Sequence, residues 1–279
     1  MAYVGMHNRE IPVNKTSVNF ALAVQDLVEG MRLWRVWYVL GLSEIRQRYR
    51  RSTLGPLWLS LSVGIQAFVM GFLLSFLFQT DINRQLPYIC ISLVVWTFIQ
   101  GAINEGATCF ITLASTILQV RRPLWTYISL TLWRNVIIFL HTIIVFVVAA
   151  MAFKVIPTGT YVYIPLGLAL LLLNIGWMTL VAALVSTRFR DVPLLIGNLF
   201  SILIWLTPVY YTVDQLAPKM RAVIELNPLT HVLEVARSPF LNQMPSLSVW
   251  LTATAVAIFG WLMALAIFAR TRARVPYWV

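Results

Sequence analysis

Charged residues are scarce in this sequence, and their scarcity excludes a soluble globular protein. Only 11% of the 279 residues are Asp, Glu, Lys or Arg, whereas 59% are hydrophobic and the mean hydropathy is +0.79. A soluble domain of this size carries roughly 25% charged residues. The composition therefore predicts a protein that is embedded in a membrane.

Acidic residues are the rarer charged class, with 10 Asp and Glu against 21 Lys and Arg and a formal net charge of +11. A strongly basic balance often indicates nucleic-acid binding. Here, however, the arginines lie between long apolar runs. We therefore attribute the charge to membrane topology and expect no nucleic-acid partner.

Residues that typically build enzyme sites are also few. The two cysteines, Cys90 and Cys109, both lie within apolar stretches, so no disulfide framework is predicted. The three histidines are far apart in sequence, which argues against a metal site. None of the three lysines follows a glycine, as the phosphate-binding motif G-x-x-x-x-G-K-[ST] requires. We expect no metal, no cofactor and no catalytic site in this chain.

Six apolar windows approach the length that a bilayer-spanning helix needs, which is about 20 predominantly apolar residues. Pro193 is well placed for the first turn of the fifth of these helices. The predicted spans are 57–78, 86–108, 132–153, 161–186, 192–213 and 247–269. The sequence therefore predicts an all-α integral membrane protein with six transmembrane helices.

The basic residues predict the orientation of these spans. If the N-terminus is cytoplasmic, the inner segments 1–56, 109–131, 187–191 and 270–279 contain 15 basic residues, and Arg134 at the inner end of the third span makes 16. The five outer basic residues are Arg84, Lys154, Lys219, Arg221 and Arg237. This asymmetry follows the positive-inside rule. We expect a multi-pass protein with both termini in the cytoplasm.

Residues 27–51 are predicted to form one amphipathic helix in the inner headgroup region, because apolar and aromatic residues recur there at spacings of three or four. This helix is either a passive anchor or a gate for an anionic lipid-linked substrate. The candidate phosphate-capturing residues are Arg46, Arg48, Arg50 and Arg51. The cytoplasmic segment 1–26 has no recognisable motif, and its charges and proline do not fit a signal peptide.

The inner loop TLASTILQVRRPLWTY, residues 112–127, has two interpretations. It is either a simple connector or a short rigid helix through which a soluble ATPase drives transport. The candidate residues for such ATPase coupling are Ser115, Gln119, Arg121, Arg122 and Pro123.

The outer segment 214–246 contains four prolines and is predicted to form two short helices. Asn227 and Pro228 are a cap and a first-turn proline at the start of the second helix. Both helices are too short to cross a bilayer. The segment is either an ordinary outer loop or a pair of re-entrant helices whose backbone is shielded by protein.

Ionisable residues inside the predicted spans are Glu105, Arg134 and His141, and such residues are costly in lipid. One interpretation is a polar network of Glu105, Arg134 and Asn135 between the second and third spans. The other is an ion-coupled carrier, although Glu105 lies nearer the inner face than the midplane.

Aromatic residues form two candidate groups for lining a glycan conduit, since sugar rings stack on aromatic faces. Their members are Phe68, Phe72 and Phe76 on the first span, and Trp205, Tyr210 and Tyr211 toward the outer end of the fifth. The alternative is that they face lipid or pack between helices.

Several stretches together resemble the permease subunits of type-2 ABC exporters that move lipid-linked polysaccharides, above all the O-antigen group. They are RQRYRRSTLGPLW (46–58), LQVRRPLW (118–125), WRNVIIFLH (133–141), RFRDVP (188–193), LTPVYY (206–211) and LNPLTHVLEVARSPFL (226–241). The stretches follow the order of the family and extend over most of the chain from about residue 30.

The resemblance implies a type-2 ABC transmembrane domain at 52–279, a gate helix at 27–51, a coupling helix at 112–123 and re-entrant helices at 214–241. It also implies a homodimer that carries two copies of a separate nucleotide-binding ATPase subunit, which holds ATP and Mg. The implied substrate is an undecaprenyl-diphosphate-linked polysaccharide, O-antigen first, exported from cytoplasm to periplasm across the bacterial inner membrane. Capsule and teichoic-acid permeases share this architecture, and an ion-coupled lipid carrier is the alternative of another class.

Overall fold

The computed structural model describes residues 20–50, residue 55 and residues 57–279, and this part of the chain is helical without a β-strand. Short 3₁₀ turns connect several of the helices. The helices are α1 (Phe20–Arg32), α2 (Trp34–Tyr49), α3 (Leu57–Phe78), α4 (Ile82–Thr112), α5 (Ala114–Gln119), α6 (Trp125–Thr142), α7 (Ile144–Ala152), α8 (Ile164–Arg188), α9 (Val192–Leu206), α10 (Pro218–Glu225), α11 (Pro228–Arg237), α12 (Leu247–Thr271) and α13 (Val275–Trp278).

Within the described residues, five helical segments are long and apolar enough to cross a membrane. They are Leu57–Phe78, Ile82–Thr112, Trp125–Ala152, Gly159–Arg188 and Leu247–Trp278. The predicted first span coincides with α3, and the predicted second, third, fourth and sixth spans fall largely within the other four segments. The all-helical fold is therefore confirmed.

The fifth predicted span, 192–213, is helical only in its first part. Pro193 lies in the first turn of α9, as predicted, but α9 ends at Leu206 after 15 residues. At a rise of about 1.5 Å per residue it is shorter than the hydrocarbon core, which is about 30 Å thick. The helix ends there because Thr207 precedes Pro208 and adopts an extended backbone, as steric contact with a following proline favours.

The single amphipathic helix predicted for residues 27–51 is wrong in its continuity, because the chain forms two helices that separate at Leu33. The first, α1, begins earlier than predicted. Its buried residues are Ala23, Asp26 and Gly30 rather than the predicted apolar stripe. A Cβ atom on Gly30 would lie 2.8 Å from the Cβ of Trp125, so close packing against α6 selects small residues on this face. Arg51 lies outside the described residues.

α4 is the central helix of the bundle and contacts α3, α6, α7, α8, α9 and α11. The larger apolar cluster of the bundle surrounds α4. A second apolar cluster lies at the end of the bundle that carries α5. Its members come from α1, α4, α5, α6, α8, α12 and α13 and include Ala23, Ile117, Trp125, Leu184, Phe268 and Val275. This cluster, which we call the α5-end cluster, holds the start of α6 in place.

The two short helices predicted between the fifth and sixth spans are present as α10 and α11. The side chain of Asn227 accepts a hydrogen bond of 3.0 Å from the backbone nitrogen of Leu229, and Pro228 is the first residue of α11. The predicted cap is therefore confirmed. α11 is largely buried and packs against α4, α8 and α12.

Candidate functional site

α2 lies against α6 through aromatic packing around Trp133. A Cβ atom on Gly41 would lie 2.8 Å from Cδ1 of Trp133, so the absence of a side chain lets the two helices approach. The ring centroid of Trp133 is 6.0 Å from that of Trp37 and 5.1 Å from that of Tyr38. This contact places the next two turns of α2, with Glu44 and Arg48, beside α4 and α6.

Glu105 of α4 is the centre of a charged network that joins three helices. Its Oε1 accepts a hydrogen bond of 3.1 Å from Nη2 of Arg48 on α2. Its Oε2 accepts hydrogen bonds of 2.9 Å from Nε of Arg134 and 2.8 Å from Nδ2 of Asn135, both on α6. The predicted network of Glu105, Arg134 and Asn135 is therefore present, and Arg48 extends it to α2.

A second carboxylate, Glu44 of α2, also pairs with Arg134. The network thus contains two carboxylates and two guanidinium groups and has no net formal charge. The exposed fraction of the side chain is 45% for Arg48, 25% for Glu105 and 16% for Arg134. Because Arg134 is the least exposed charge, its pairing with both carboxylates avoids the cost of a half-buried, uncompensated cation.

A polar cavity of about 260 Å³ opens beside this network, with room for several water molecules or one small anionic group. We call it the α2 cavity. It is lined by Glu44, Arg48, Glu105, Thr108, Cys109, Thr112, Leu113, Thr131 and Arg134. The cavity therefore presents a partly exposed arginine at its edge and a less exposed arginine further inside.

Other predicted residues of this region lie outside the network. Arg46 on α2 and Arg50, the residue after α2, are both exposed. His141 is separate: its Nδ1 lies 2.7 Å from the backbone oxygen of Ile137. Sequence reasoning missed Glu44, although its position four residues before Arg48 puts both side chains on one helix face.

The residues predicted for ATPase coupling lie at the α5 end. Ser115, Gln119 and Arg121 are exposed, whereas Arg122 and Pro123 are half-buried. Ile117 of α5 is buried in the α5-end cluster. A short helix with one anchored side and one exposed side therefore precedes α6.

Asp26 of α1 holds the start of α6, a contact that no sequence motif indicated. Its Oδ1 accepts a hydrogen bond of 3.0 Å from the backbone nitrogen of Trp125, and its Oδ2 lies 3.5 Å from Nη2 of Arg272. Burial raises the pKa of the Asp26 carboxyl, while the hydrogen bond from Trp125 and the charge of Arg272 partly offset this rise. Asp26 thus ties α1 to α6 and to the end of α12.

The RFRDVP stretch contacts the last described helix. Nη2 of Arg190 donates a hydrogen bond of 2.6 Å to the backbone oxygen of Trp278. The guanidinium carbon of Arg188 lies 5.4 Å from the centroid of the Trp278 ring, which is cation-π distance. The loop between α8 and α9 is thereby attached to α13, which itself contacts α5.

At the opposite end of the bundle, Arg237 of α11 is buried and 4% exposed. Its Nη1 donates hydrogen bonds to Oγ of Ser92, at 3.0 Å, and to the backbone oxygen of Pro208. Its guanidinium carbon lies 4.4 Å from the centroid of the Tyr88 ring. Arg237 therefore anchors the non-helical segment that follows α9, whereas sequence reasoning had counted it only as an outer basic residue of the second short helix.

The predicted conduit aromatics occupy different environments. Phe68, Phe72 and Phe76 are exposed on α3, and Trp205 is exposed at the end of α9. Tyr210 is buried, its hydroxyl accepting a hydrogen bond of 2.8 Å from Nε2 of Gln66. Tyr211 is half-buried. Tyr210 therefore supports Trp205, with ring centroids 5.2 Å apart, and does not itself face an open surface.

Comparison with known proteins identifies the family. Residues 35–241, well over half of the chain, match the family model described as ABC-2 type transporter. The chain is 22% identical over 232 residues to the O-antigen export system permease protein RfbA of Myxococcus xanthus, a match that includes 82% of this chain and 89% of that protein. It is also 22% identical over 212 residues to the protein of the same name from Klebsiella pneumoniae, which includes 75% and 82% of the two chains. With its long apolar helices, the chain is a multi-pass membrane protein that belongs to the ABC-2 type transporter family.

Proposed function

We propose that this chain is the membrane-spanning permease of an ATP-driven exporter that moves undecaprenyl-diphosphate-linked polysaccharide, O-antigen first, from cytoplasm to periplasm. The match to the ABC-2 family and the names of the two relatives support an export permease. The structural observation that carries the proposal is Arg48, a partly exposed arginine at the edge of the α2 cavity. Arginine binds phosphate groups bidentately, so this position suits the diphosphate of a lipid carrier.

In this proposal the chain crosses the bacterial inner membrane six times, with both termini in the cytoplasm. α9 and the following residues 207–211 together make the fifth crossing. Non-helical backbone is tolerated at membrane depth where protein shields it. Thr207, Val209 and Tyr210 are buried, which fits that requirement. α10 and α11 form the re-entrant pair on the periplasmic side.

Substrate capture takes place at α2, which we call the gate helix. Arg48 contacts the diphosphate, and Arg46, Arg50 and Arg51 contribute further positive charge near the headgroups. Their attraction for phosphate is strongest at low ionic strength, because exposed charges are screened by salt.

Two copies of this permease bind two copies of a nucleotide-binding ATPase, which holds ATP and Mg. The ATPase contacts α5 and the loop with Arg121 and Arg122. α6 begins immediately after this loop and carries Arg134, whose partners include Glu44 on the gate helix. Movement of α5 is thereby transmitted through α6 to the gate helix.

The glycan follows the lipid between the two permease copies. The exposed aromatic residues of α3 and α9, namely Phe68, Phe72, Phe76 and Trp205, supply apolar faces for sugar rings. In the single chain these faces are free of intramolecular packing to a large degree, which leaves them available to lipid, glycan or a second copy.

The experiment is to purify the permease with the nucleotide-binding subunit from the same genomic locus, reconstitute the complex in vesicles and measure ATP hydrolysis and transfer of a lipid-diphosphate oligosaccharide. We expect a 2:2 complex whose transfer requires ATP. Arg48→Ala should lower transfer while the complex still assembles, and Arg35→Ala, an exposed arginine elsewhere on α2, should not. Transfer by the permease alone in an ion gradient would overturn the proposal in favour of an ion-coupled carrier. Preference for a teichoic-acid or capsule precursor would keep the mechanism and change the substrate.

A further inference from the structure

The arginine proposed to capture substrate is already occupied by a carboxylate of the same chain. Arg48 donates to Glu105 at 3.1 Å, so an incoming diphosphate must compete with that carboxylate. We propose that Glu105, supported by Glu44, is an internal ligand of Arg48 in the α2 cavity, and that the substrate diphosphate binds by replacing Glu105 at Arg48. This inference rests on the proposed function and specifies how its binding site works.

The exposure of the three charged groups fixes where the exchange begins. The side chain of Arg48 is 45% exposed, that of Glu105 25% and that of Arg134 16%. The Arg48–Glu105 pair is therefore accessible from the edge of the cavity, whereas Arg134 is held further inside. A phosphate group reaches Arg48 first and can leave the Arg134 pairs intact.

The exchange leaves no carboxylate without a partner. After Arg48 departs, Oε2 of Glu105 still accepts hydrogen bonds from Arg134 and from Asn135. Glu44 likewise keeps its ion pair with Arg134. Breaking a buried ion pair is costly mainly when it leaves an uncompensated charge. Here the exchange leaves Glu105 and Glu44 sharing the single charge of Arg134, a net formal charge of −1, and the cost is limited because the side chain of Glu105 is 25% exposed. A diphosphate also offers more negative charge to Arg48 than a single carboxylate does.

The exchange also changes how the gate helix is held. The Arg48–Glu105 pair joins the C-terminal part of α2 to α4. The middle of α2 stays on α6 through Gly41, Trp133 and the Glu44–Arg134 pair. Replacement of Glu105 therefore frees one end of the helix and leaves its other contact in place. The arrival of substrate is itself the signal that loosens the gate.

The size of the α2 cavity limits what it recognises. About 260 Å³ accommodates a phosphate group but not an oligosaccharide, and Arg48 supplies the positive charge for an anion once it leaves Glu105. The site should therefore bind the diphosphate of a prenyl carrier whatever sugars that carrier bears. Selection among glycans takes place elsewhere in the transporter.

The test measures binding of farnesyl diphosphate, a short prenyl diphosphate, to the permease–ATPase complex in nanodiscs, with farnesol as the uncharged probe. Removing the competing charge with Glu105→Gln should tighten binding of farnesyl diphosphate about tenfold. Arg48→Gln should weaken it, and farnesol binding should not respond to either change. Glu29→Gln is the matched control, since Glu29 is exposed on α1 and accepts a hydrogen bond of 2.7 Å from Gln25.

The outcomes separate this inference from the proposed function. If wild-type complex does not bind farnesyl diphosphate, both fail. If wild-type complex binds it through Arg48 but Glu105→Gln binds no more tightly, the exchange is wrong and the proposed function stands. Should the complex with Glu105→Gln fail to assemble, the same binding measurement is made with Glu44→Gln. Loss of this supporting negative charge should also tighten binding of farnesyl diphosphate. A weaker affinity in Glu44→Gln would overturn the exchange.

Discussion

The carboxylate of Asp26 caps a helix to which it does not belong, accepting a 3.0 Å hydrogen bond from the backbone nitrogen of Trp125 at the start of α6. The first backbone N–H groups of a helix have no partner within the helix, and a negative charge at this end is favourable. α1 therefore supplies, from a residue distant in sequence, the hydrogen-bond acceptor that a local capping residue usually supplies. The same carboxylate faces Arg272, so three helices meet at one side chain.

Asp26→Ala should lower the free energy of unfolding by about 1–2 kcal/mol, because it removes the cap of Trp125 and the partner of Arg272. Asp26→Asn should cost less, since its amide oxygen can still accept the hydrogen bond. Unfolding of the purified complex, followed by tryptophan fluorescence, measures both. Glu29→Ala, on an exposed position of the same helix, is the control. Equal effects of Asp26→Ala and Glu29→Ala would show that the cap contributes nothing.

The same residue predicts a pH dependence. Because burial raises the pKa of Asp26 above 3.8, the folded chain keeps a proton on this carboxyl at pH values where the unfolded chain has lost it. The contribution of Asp26 to stability is therefore greatest at low pH and decreases as the pH rises through the raised pKa. The melting temperature of Asp26→Asn, minus that of wild type, should increase as the pH rises above 3.8. A difference that instead increases toward low pH would mean that Arg272 and Trp125 outweigh burial.

Arg237 should be essential for ordering the segment after α9. It is buried, and no ion pair within the described residues joins Arg237 to a carboxylate. Arg237→Gln cannot keep all the contacts to Ser92, Pro208 and the Tyr88 ring, so we expect a loss of about 2–4 kcal/mol. Hydrogen exchange of residues 207–211 should become faster. Arg84→Gln, an exposed arginine at the same end, should leave both quantities unchanged; an equal loss in both variants would contradict the anchoring role.

Gly167 allows α8 and α11 to approach at backbone distance. A Cβ atom there would lie 2.4 Å from the backbone oxygen of Val235, which cannot move aside as a flexible side chain would. Gly167→Ala should therefore destabilise the protein by about 1–3 kcal/mol through overpacking. A Cβ atom on Gly159 would meet nothing within 4 Å, so Gly159→Ala is the matched control. Similar melting temperatures for the two variants would argue against close packing of α11 on α8.

The coupling assignment predicts a charge-reversal effect. Replacing Arg121 and Arg122 with Glu should detach the ATPase or uncouple its hydrolysis from transport, because the proposed contact surface would change from basic to acidic. Co-purification and ATP-driven transfer measure the two effects. Lys219→Glu, on α10 at the opposite end of the bundle, should alter neither. Normal assembly with normal transfer in the double Arg variant would remove the coupling assignment.

Hydropathy and local motifs were sufficient to predict α3, the cap at Asn227 and the polar group of Glu105, Arg134 and Asn135. These features depend on residues that are close in sequence or strongly unfavourable in lipid. The early end of α9 could also have been predicted from the sequence, because Pro208 restricts the backbone of the residue before it. The predicted fifth span nevertheless continued to residue 213.

The division of the N-terminal region into α1 and α2 followed from tertiary packing and was not predicted. Periodicity finds the apolar face of an amphipathic helix, but it does not distinguish lipid from protein as the neighbour of that face. The faces that contact protein here carry Ala23, Gly30 and Gly41, small residues that add little to a hydropathy pattern. The role of Asp26 could not be predicted from the sequence either, since its partners Trp125 and Arg272 are distant in sequence.

The pairing of Glu105 with Arg134 bears on how the chain enters the membrane during synthesis. An unpaired carboxylate in a spanning helix raises the free energy of membrane insertion, by about 2.5–3.5 kcal/mol at the helix centre and by less toward the inner end, where Glu105 lies. The partners of Glu105 on α6 are Arg134 and Asn135, which are synthesised only after α4 is complete. Arg48 precedes α4 in the chain, so it is the basic partner available to Glu105 while α4 enters the bilayer, and α6 is expected to complete the neutralisation when it follows.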